Sequence, residues 1–293
     1  MTTADAVSPA SLLLAELQLP VKTTVVDVGA NPINGAPYSE LLKMGGCKVV
    51  GFEPQAAAFA RLQEMKSADE TYFPYAVGNG KPCDLRIYKA SGMTSIFDPY
   101  KPALYAIGMK RGTKIIETVQ MDTVALDDDP DLPPFDLLKI DIQGAENLVF
   151  EHAERVMKNA VAVIVELRYL RLYHGEPMMS GIDAELRRQG FYLHKFMFNK
   201  SLMLQNSQST RLIGRRVLDQ LVDGDGIYVR NIAEPHLMSV DQLKHLSLLA
   251  ASVFSSHTLA LYCLDELVRR GAVAANLPER YVDVMPENLR VAE

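Results

Sequence analysis

The stretch that most constrains this chain is Asp136-Leu137-Leu138-Lys139-Ile140-Asp141-Ile142-Gln143-Gly144-Ala145-Glu146. A largely apolar run ends in a carboxylate, a glycine follows, and helix-forming residues come next. Such a run reads as a parallel strand covered on both faces. Its terminal acid then sits on the rim where open α/β sheets bind ligands. The arrangement occurs again much earlier, at Thr24-Val25-Val26-Asp27-Val28-Gly29-Ala30-Asn31, and a third strand-end acid, Glu53, lies in Gly51-Phe52-Glu53-Pro54. Two strands ending in acids, at Asp27 and Asp141, predict a cofactor site.

The bulk properties narrow the class. With 293 residues, 48% hydrophobic and 23% charged, the chain has room for one large α/β domain and an appendage. A net charge of −6 disfavours nucleic acid as a partner. Cys47, Cys83 and Cys263 are widely separated and no Cys/His cluster occurs, so neither a disulfide framework nor a metal site is expected. A reducing cytoplasm fits best. The early apolar stretch Leu12-Leu13-Leu14 is short, and Asp5 stands where a signal peptide carries cations. The uncharged run 245–264 contains Ser247, Ser252, Ser255, Ser256, His257 and Thr258, so no transmembrane segment is expected.

Ser8-Pro9 reads as a helix start, with Pro20 ending that helix. Strands are expected at 23–28, 48–52, 71–76, 135–141 and 160–165, with helices over 38–44, 55–66, 147–158 and 182–189. Pro74 makes the third strand an edge or a bulge. Short strands near 85–89 and 116–121 are plausible. Late strands at 191–198 and 226–229, with no helix between them, favour an antiparallel pair. The sum is an α/β fold: a doubly wound, seven-stranded sheet of Rossmann type with an antiparallel closing strand, plus a helical C-terminal extension. The expected division is 1–20 as an N-terminal helical segment, 21–232 as the core domain and 233–293 as the extension. An apolar stripe of Leu246, Leu249, Val253, Ala260, Leu264 and Leu267 suits a subunit interface, hence a possible homo-oligomer, or packing on the core.

Asp27 selects among cofactors. The Gly-rich pattern that cradles a pyrophosphate is absent, and a carboxylate at the turn would repel phosphate. It suits a cationic ligand without phosphate, such as S-adenosyl-L-methionine. Glu53 can accept hydrogen bonds from ribose hydroxyls. Asp141 would face the transferred group, while Glu146 belongs to its helix's first turn.

These blocks, with Tyr75-Ala76-Val77-Gly78, Gly92-Met93-Thr94-Ser95 and Leu126-Asp127-Asp128, stand in an order that resembles the FkbM-type methyltransferase family over about residues 23–230. The resemblance implies S-adenosyl-L-methionine as cofactor and O-methylation, often of sugars or polyketides. It implies that Asp27, Gly29 and Asn31 line the methionine part, Glu53 the ribose, and Tyr75 and Ala76 the adenine. Ser95 and Asp141 would lie near cofactor and acceptor. The first loop is longer than usual, leaving contacts from Asn34 and Gly35 open, and Gln143 stands where many members carry Glu.

The implied reaction needs an acceptor hydroxyl held in place, water excluded and one proton removed. Asp141, Glu166 and His174 are the candidates for that last role, and Asp141 and His174 are the expected catalytic residues. His194 reads as packing, and most of Met93, Met109, Met178, Met179, Met197 and Met203 as core. Arg168 and Arg171 read as solvated, or as holding an anionic acceptor. The expected acceptor is a sugar, glycan or glycolipid hydroxyl. The alternatives are a nitrogen, lipid or polyketide acceptor, or a non-catalytic cofactor-binding scaffold.

Overall fold

The computed structural model describes residues 7–31 and 35–291; Asp5 and Asn34 lie outside them. Seven strands build the main sheet: β1 (Thr23–Val28), β2 (Cys47–Phe52), β3 (Glu70–Phe73), β4 (Leu137–Ile140), β5 (Ala162–Arg168), β6 (Phe191–Leu202) and β7 (Gln220–Arg230). Their spatial order is β6-β7-β5-β4-β1-β2-β3. All neighbours pair in parallel except β7, which is antiparallel to both β5 and β6. The doubly wound sheet with an antiparallel strand near its edge is therefore present.

Strict alternation splits the strand side chains between two helical layers. Val25, Val49, Leu137, Ile164 and Ile227 share one core with helices α1 (Pro9–Glu16), α5 (Val240–Ser252), α6 (His257–Arg269) and α7 (Leu277–Asp283). Their neighbours Val26, Val50, Leu138, Val163 and Tyr228 pack on the other face, against α2 (Glu146–Phe150), α3 (Glu154–Met157) and α4 (Met179–Arg188). The apolar stripe of the extension is thus buried against the chain's own sheet. His245 adds a polar tie, its Nδ1 standing 2.9 Å from the Thr23 hydroxyl.

Several boundaries depart from expectation for local reasons. Helix α1 opens with a reciprocal Ser8/Ser11 capping box but stops at Glu16, because Gln18 takes a left-handed φ of 46°. Strand β3 ends at Phe73, just before Pro74. The expected 147–158 helix is two short ones: the Asp127 carboxylate accepts the backbone N–H groups of Arg155 and Val156 and caps a fresh start. The late strands run longer than their apolar patterns, to Leu202 and back to Gln220. Residues 83–121 form an antiparallel hairpin, Cys83–Tyr88 with Ile115–Met121, over the carboxyl ends of the parallel strands.

Candidate functional site

The turn after β1 approaches the end of β4 very closely. Gly29 has φ +82°, and a Cβ there would lie 2.3 Å from the Asp141 carbonyl oxygen. Only glycine fits. The same residue lines two adjoining hollows, which therefore meet at this turn.

The first hollow is apolar, with a space of about 570 Å³ including its mouth. Its walls include Val28, Phe52, Ala76, Val77, Ile142 and Leu148. Tyr75 stands beside it in a ring cluster with Phe52 and Phe73, centroids 5.4 Å from each, and its hydroxyl donates to Asp129. Glu53, 2% exposed, follows β2 between the wall residues Phe52 and Pro54, without itself lining the hollow. Its Oε1 accepts the Gln55 N–H at 2.8 Å, and no described residue bonds Oε2. Burial pushes its carboxyl up to about 7, only partly countered by the Gln55 N–H.

The second hollow is polar. Asn31, Asp141, Gln143, Glu166, Asp223 and Asp225 line it, together with Lys200 and the ring of Phe198. Gln143 follows β4 with φ 58°, an uncommon value outside glycine, so its amide turns back across the acids. Its Nε2 donates to Asp141 Oδ1 and Glu166 Oε2, both at 2.8 Å. Ligand oxygens of Asp141, Glu146 and Glu166 lie within 4.8 Å of one another, and this carboxamide bridges two of those acids where a cation would otherwise be needed.

Behind these acids lies Arg168. It is 3% exposed and not solvated. It pairs with Glu166 at 2.6 Å, Asp223 at 3.3 Å and Glu176 at 3.4 Å, and donates to Gln143 Oε1 at 2.7 Å. Its guanidinium is committed and cannot serve an anionic acceptor. Burial, reinforced by Asp141, still drives the Glu166 carboxyl well above the usual range. The Asp225 carboxylate makes no hydrogen bond or ion pair among the described residues. Burial and the Asp141 charge push it up to about 6.

Asp27 lies beneath the Gly29 turn, 3% exposed and lining neither hollow. It receives the Tyr38 hydroxyl at 2.6 Å and pairs with Lys139 at 3.0 Å. Burial opposes the Lys139 charge, but Asp27 and Asp141 outweigh it and hold the ammonium pKa above its ordinary value. Ser95 is buried; it donates to the Gln143 carbonyl at 2.6 Å and accepts the Phe97 N–H, joining two loops. Glu146 caps its own loop by accepting the Ile142 and Gly144 N–H groups. His174 opens onto another groove, lined by Tyr100, Lys101 and Lys114, with its ring edge-on to Tyr100 at 5.1 Å. Of the six methionines only Met93 is buried. Sequence reasoning missed Lys139, Tyr38, Asp223 and Asp225. The repeated Asp223-Gly224-Asp225-Gly226 was the available signal for the last two.

Residues 27–193 match the methyltransferase FkbM domain. The chain belongs to the FkbM methyltransferase family. It is accordingly an S-adenosylmethionine-dependent methyltransferase. Among solved structures it is similar to the methyltransferase FkbM of Methylobacillus flagellatus KT, at 14% identity and a TM-score of 0.37, covering 76% of this chain and 48% of that one. It thus spans about half the length of that protein. It is also similar to the magnesium protoporphyrin IX methyltransferase of Synechocystis PCC 6803, solved with bound SAM (13% identity, TM-score 0.34, 76% of each chain). A third is the precorrin-6y C5,15-methyltransferase of Geobacter metallireducens GS-15 (11% identity, TM-score 0.34, 78% of this chain and 93% of that one). No curated protein matches the chain.

Proposed function

We propose that this enzyme methylates a hydroxyl of a neutral sugar or glycan. The observation that carries the reading is the junction at Gly29, where an apolar hollow beside the buried Glu53 meets a polar cleft lined by four acids. The residues fit S-adenosyl-L-methionine: a flat apolar wall at Ala76 and Val77 for the base, and a free Glu53 oxygen for ribose hydroxyls. Asn31 and Asp141 at the mouth of the second hollow suit the polar, cationic end. When bound, the cofactor supplies a methyl group already activated by a sulfonium.

The chain's own residues would do the rest. The Phe198 ring, 54% exposed, offers an apolar plate for a sugar's C–H face, and Asn31, Asp141, Asp225 and Lys200 surround it with donors and acceptors. Four acids against one lysine in the wall disfavour an anionic acceptor. The acceptor proton would pass to the Asp141/Asp225 pair, in which burial and the neighbouring Asp141 charge raise the proton affinity of Asp225. Arg168 and Gln143 hold Glu166 and Asp141 in register behind them.

Asp141→Asn and Asp225→Asn provide the test, in calorimetry with S-adenosyl-L-methionine and in turnover of neutral, amine and carboxylate sugars. Loss of general-base assistance would lower kcat about 10²- to 10⁴-fold while cofactor affinity largely survives. Normal turnover in both variants sinks the assignment, and preference for the carboxylate sugar sinks the acceptor class. Full kcat in His174→Ala would leave that histidine without a catalytic part.

A further inference from the structure

Beside the cleft the molecule changes sign. Segments 99–116 and 190–218 hold nine lysines and arginines and no Asp or Glu, in a chain of net charge −6. They form one lip. The Gln205 N–H donates to the Ala106 carbonyl at 2.7 Å, and Leu202 shares a core with Leu104 and Ile107. At its outer end Arg211-Leu212-Ile213-Gly214-Arg215-Arg216-Val217-Leu218 alternates cations with aliphatic residues. Leu212, Ile213 and Leu218 are 43–56% exposed. Arg215 and Arg216 are exposed, and their guanidinium groups make no ion pair or hydrogen bond among the described residues.

We propose that this lip is a peripheral docking surface for an anionic lipid bilayer. Exposed aliphatic tips would enter the acyl boundary, and neighbouring guanidinium groups would meet lipid phosphates. Charge chooses among occupants. A second copy bringing the same lip would set cations against cations. A nucleic acid would use the cations but has no use for Leu212, Ile213 and Leu218, since its affinity comes from phosphate contacts and base stacking. No helix among the described residues is long and apolar enough to cross a membrane, so the docking is peripheral. Phe198 and Lys200 belong both to this lip and to the cleft wall, so docking brings the cleft mouth to the membrane surface. One corollary, a lipid-borne acceptor, rests on the sugar-hydroxyl reading; the docking does not.

The experiment is cosedimentation of the full chain with phosphatidylcholine vesicles, with and without phosphatidylglycerol. Binding should be about tenfold or more tighter to the anionic vesicles and should fall with salt. The pair Arg215→Glu with Arg216→Glu, and separately Ile213→Asp, should each reduce it at least severalfold. Thermal melting and S-adenosyl-L-methionine affinity should stay unchanged, which keeps this test apart from that of the catalytic reading. Equal partition onto neutral vesicles, or none, overturns the proposal. So does full competition by millimolar inorganic phosphate, tighter binding to single-stranded RNA, or loss of binding through self-association.

Discussion

Asp27 and Glu53 look alike in sequence and live opposite lives in the fold. Both end parallel strands on the same rim, and both are almost completely buried. Asp27 has a hydroxyl at 2.6 Å and an ammonium at 3.0 Å. Glu53 has one backbone N–H and an oxygen with no partner among the described residues, and burial lifts its carboxyl to about 7. A buried carboxylate held between a hydroxyl and an ammonium belongs to the architecture. One left short of partners next to a hollow is held ready for a ligand's donors.

The largest effect expected from this contrast is on stability. Lys139→Met removes the cation beside Asp27 and leaves a buried charge uncompensated, which costs about 3–5 kcal/mol. Urea unfolding measures it, and adding Asp27→Asn should recover much of the loss, because the two sites are directly coupled. A penalty under about 1 kcal/mol in Lys139→Met would mean that the pair is not structural, and the contrast with Glu53 would collapse.

Glu53→Gln should behave in the opposite way. The neutral amide is easier to bury, so unfolding at pH 8 should be unaffected or harder. S-adenosyl-L-methionine binding should weaken about ten- to hundredfold, corresponding to the roughly 1.5–3 kcal/mol of a hydrogen bond to a charged group. Calorimetry on the variant reads both the affinity and the retained stoichiometry. If the variant loses stability as Lys139→Met does and keeps its cofactor affinity, the two roles have been assigned the wrong way round.

How much of this was legible beforehand follows from where the information sits. Strand ends are local signals: an apolar run, an acid and a glycine lie within a few residues, so Asp27, Glu53 and Asp141 could be read directly. The match over residues 27–193 bears out the family on the same blocks. Partners are decided by the fold. Nothing near Asp27 in sequence announces Lys139, on the neighbouring strand β4, and nothing after Glu166 marks Arg168 as buried rather than solvated. Asp223 and Asp225 were hidden because β7 begins with a glycine-interrupted acidic pattern that reads as a turn. Its strand identity comes from pairing with β5 and β6, not from its own propensity.

The pH dependence of cofactor binding gives the finest test of the contrast. In the free enzyme Glu53 titrates near 7. Ribose donors and a cationic ligand favour the ionised form, so the bound enzyme must hold a lower pKa, and binding releases a proton around neutrality. Affinity should therefore rise with pH, by about tenfold between pH 6 and 8, and level off above. The free enzyme's stability has the reverse slope. Its folded carboxyl binds protons more tightly than the unfolded one at about 4.5, so Glu53's contribution is complete below that value and is lost as pH climbs through 7. Calorimetry in buffers of different ionisation enthalpy counts the released proton, and Glu53→Gln should abolish both slopes. A flat affinity profile in the wild-type chain would place Glu53 with Asp27 among the purely architectural acids, leaving the ribose without its expected partner.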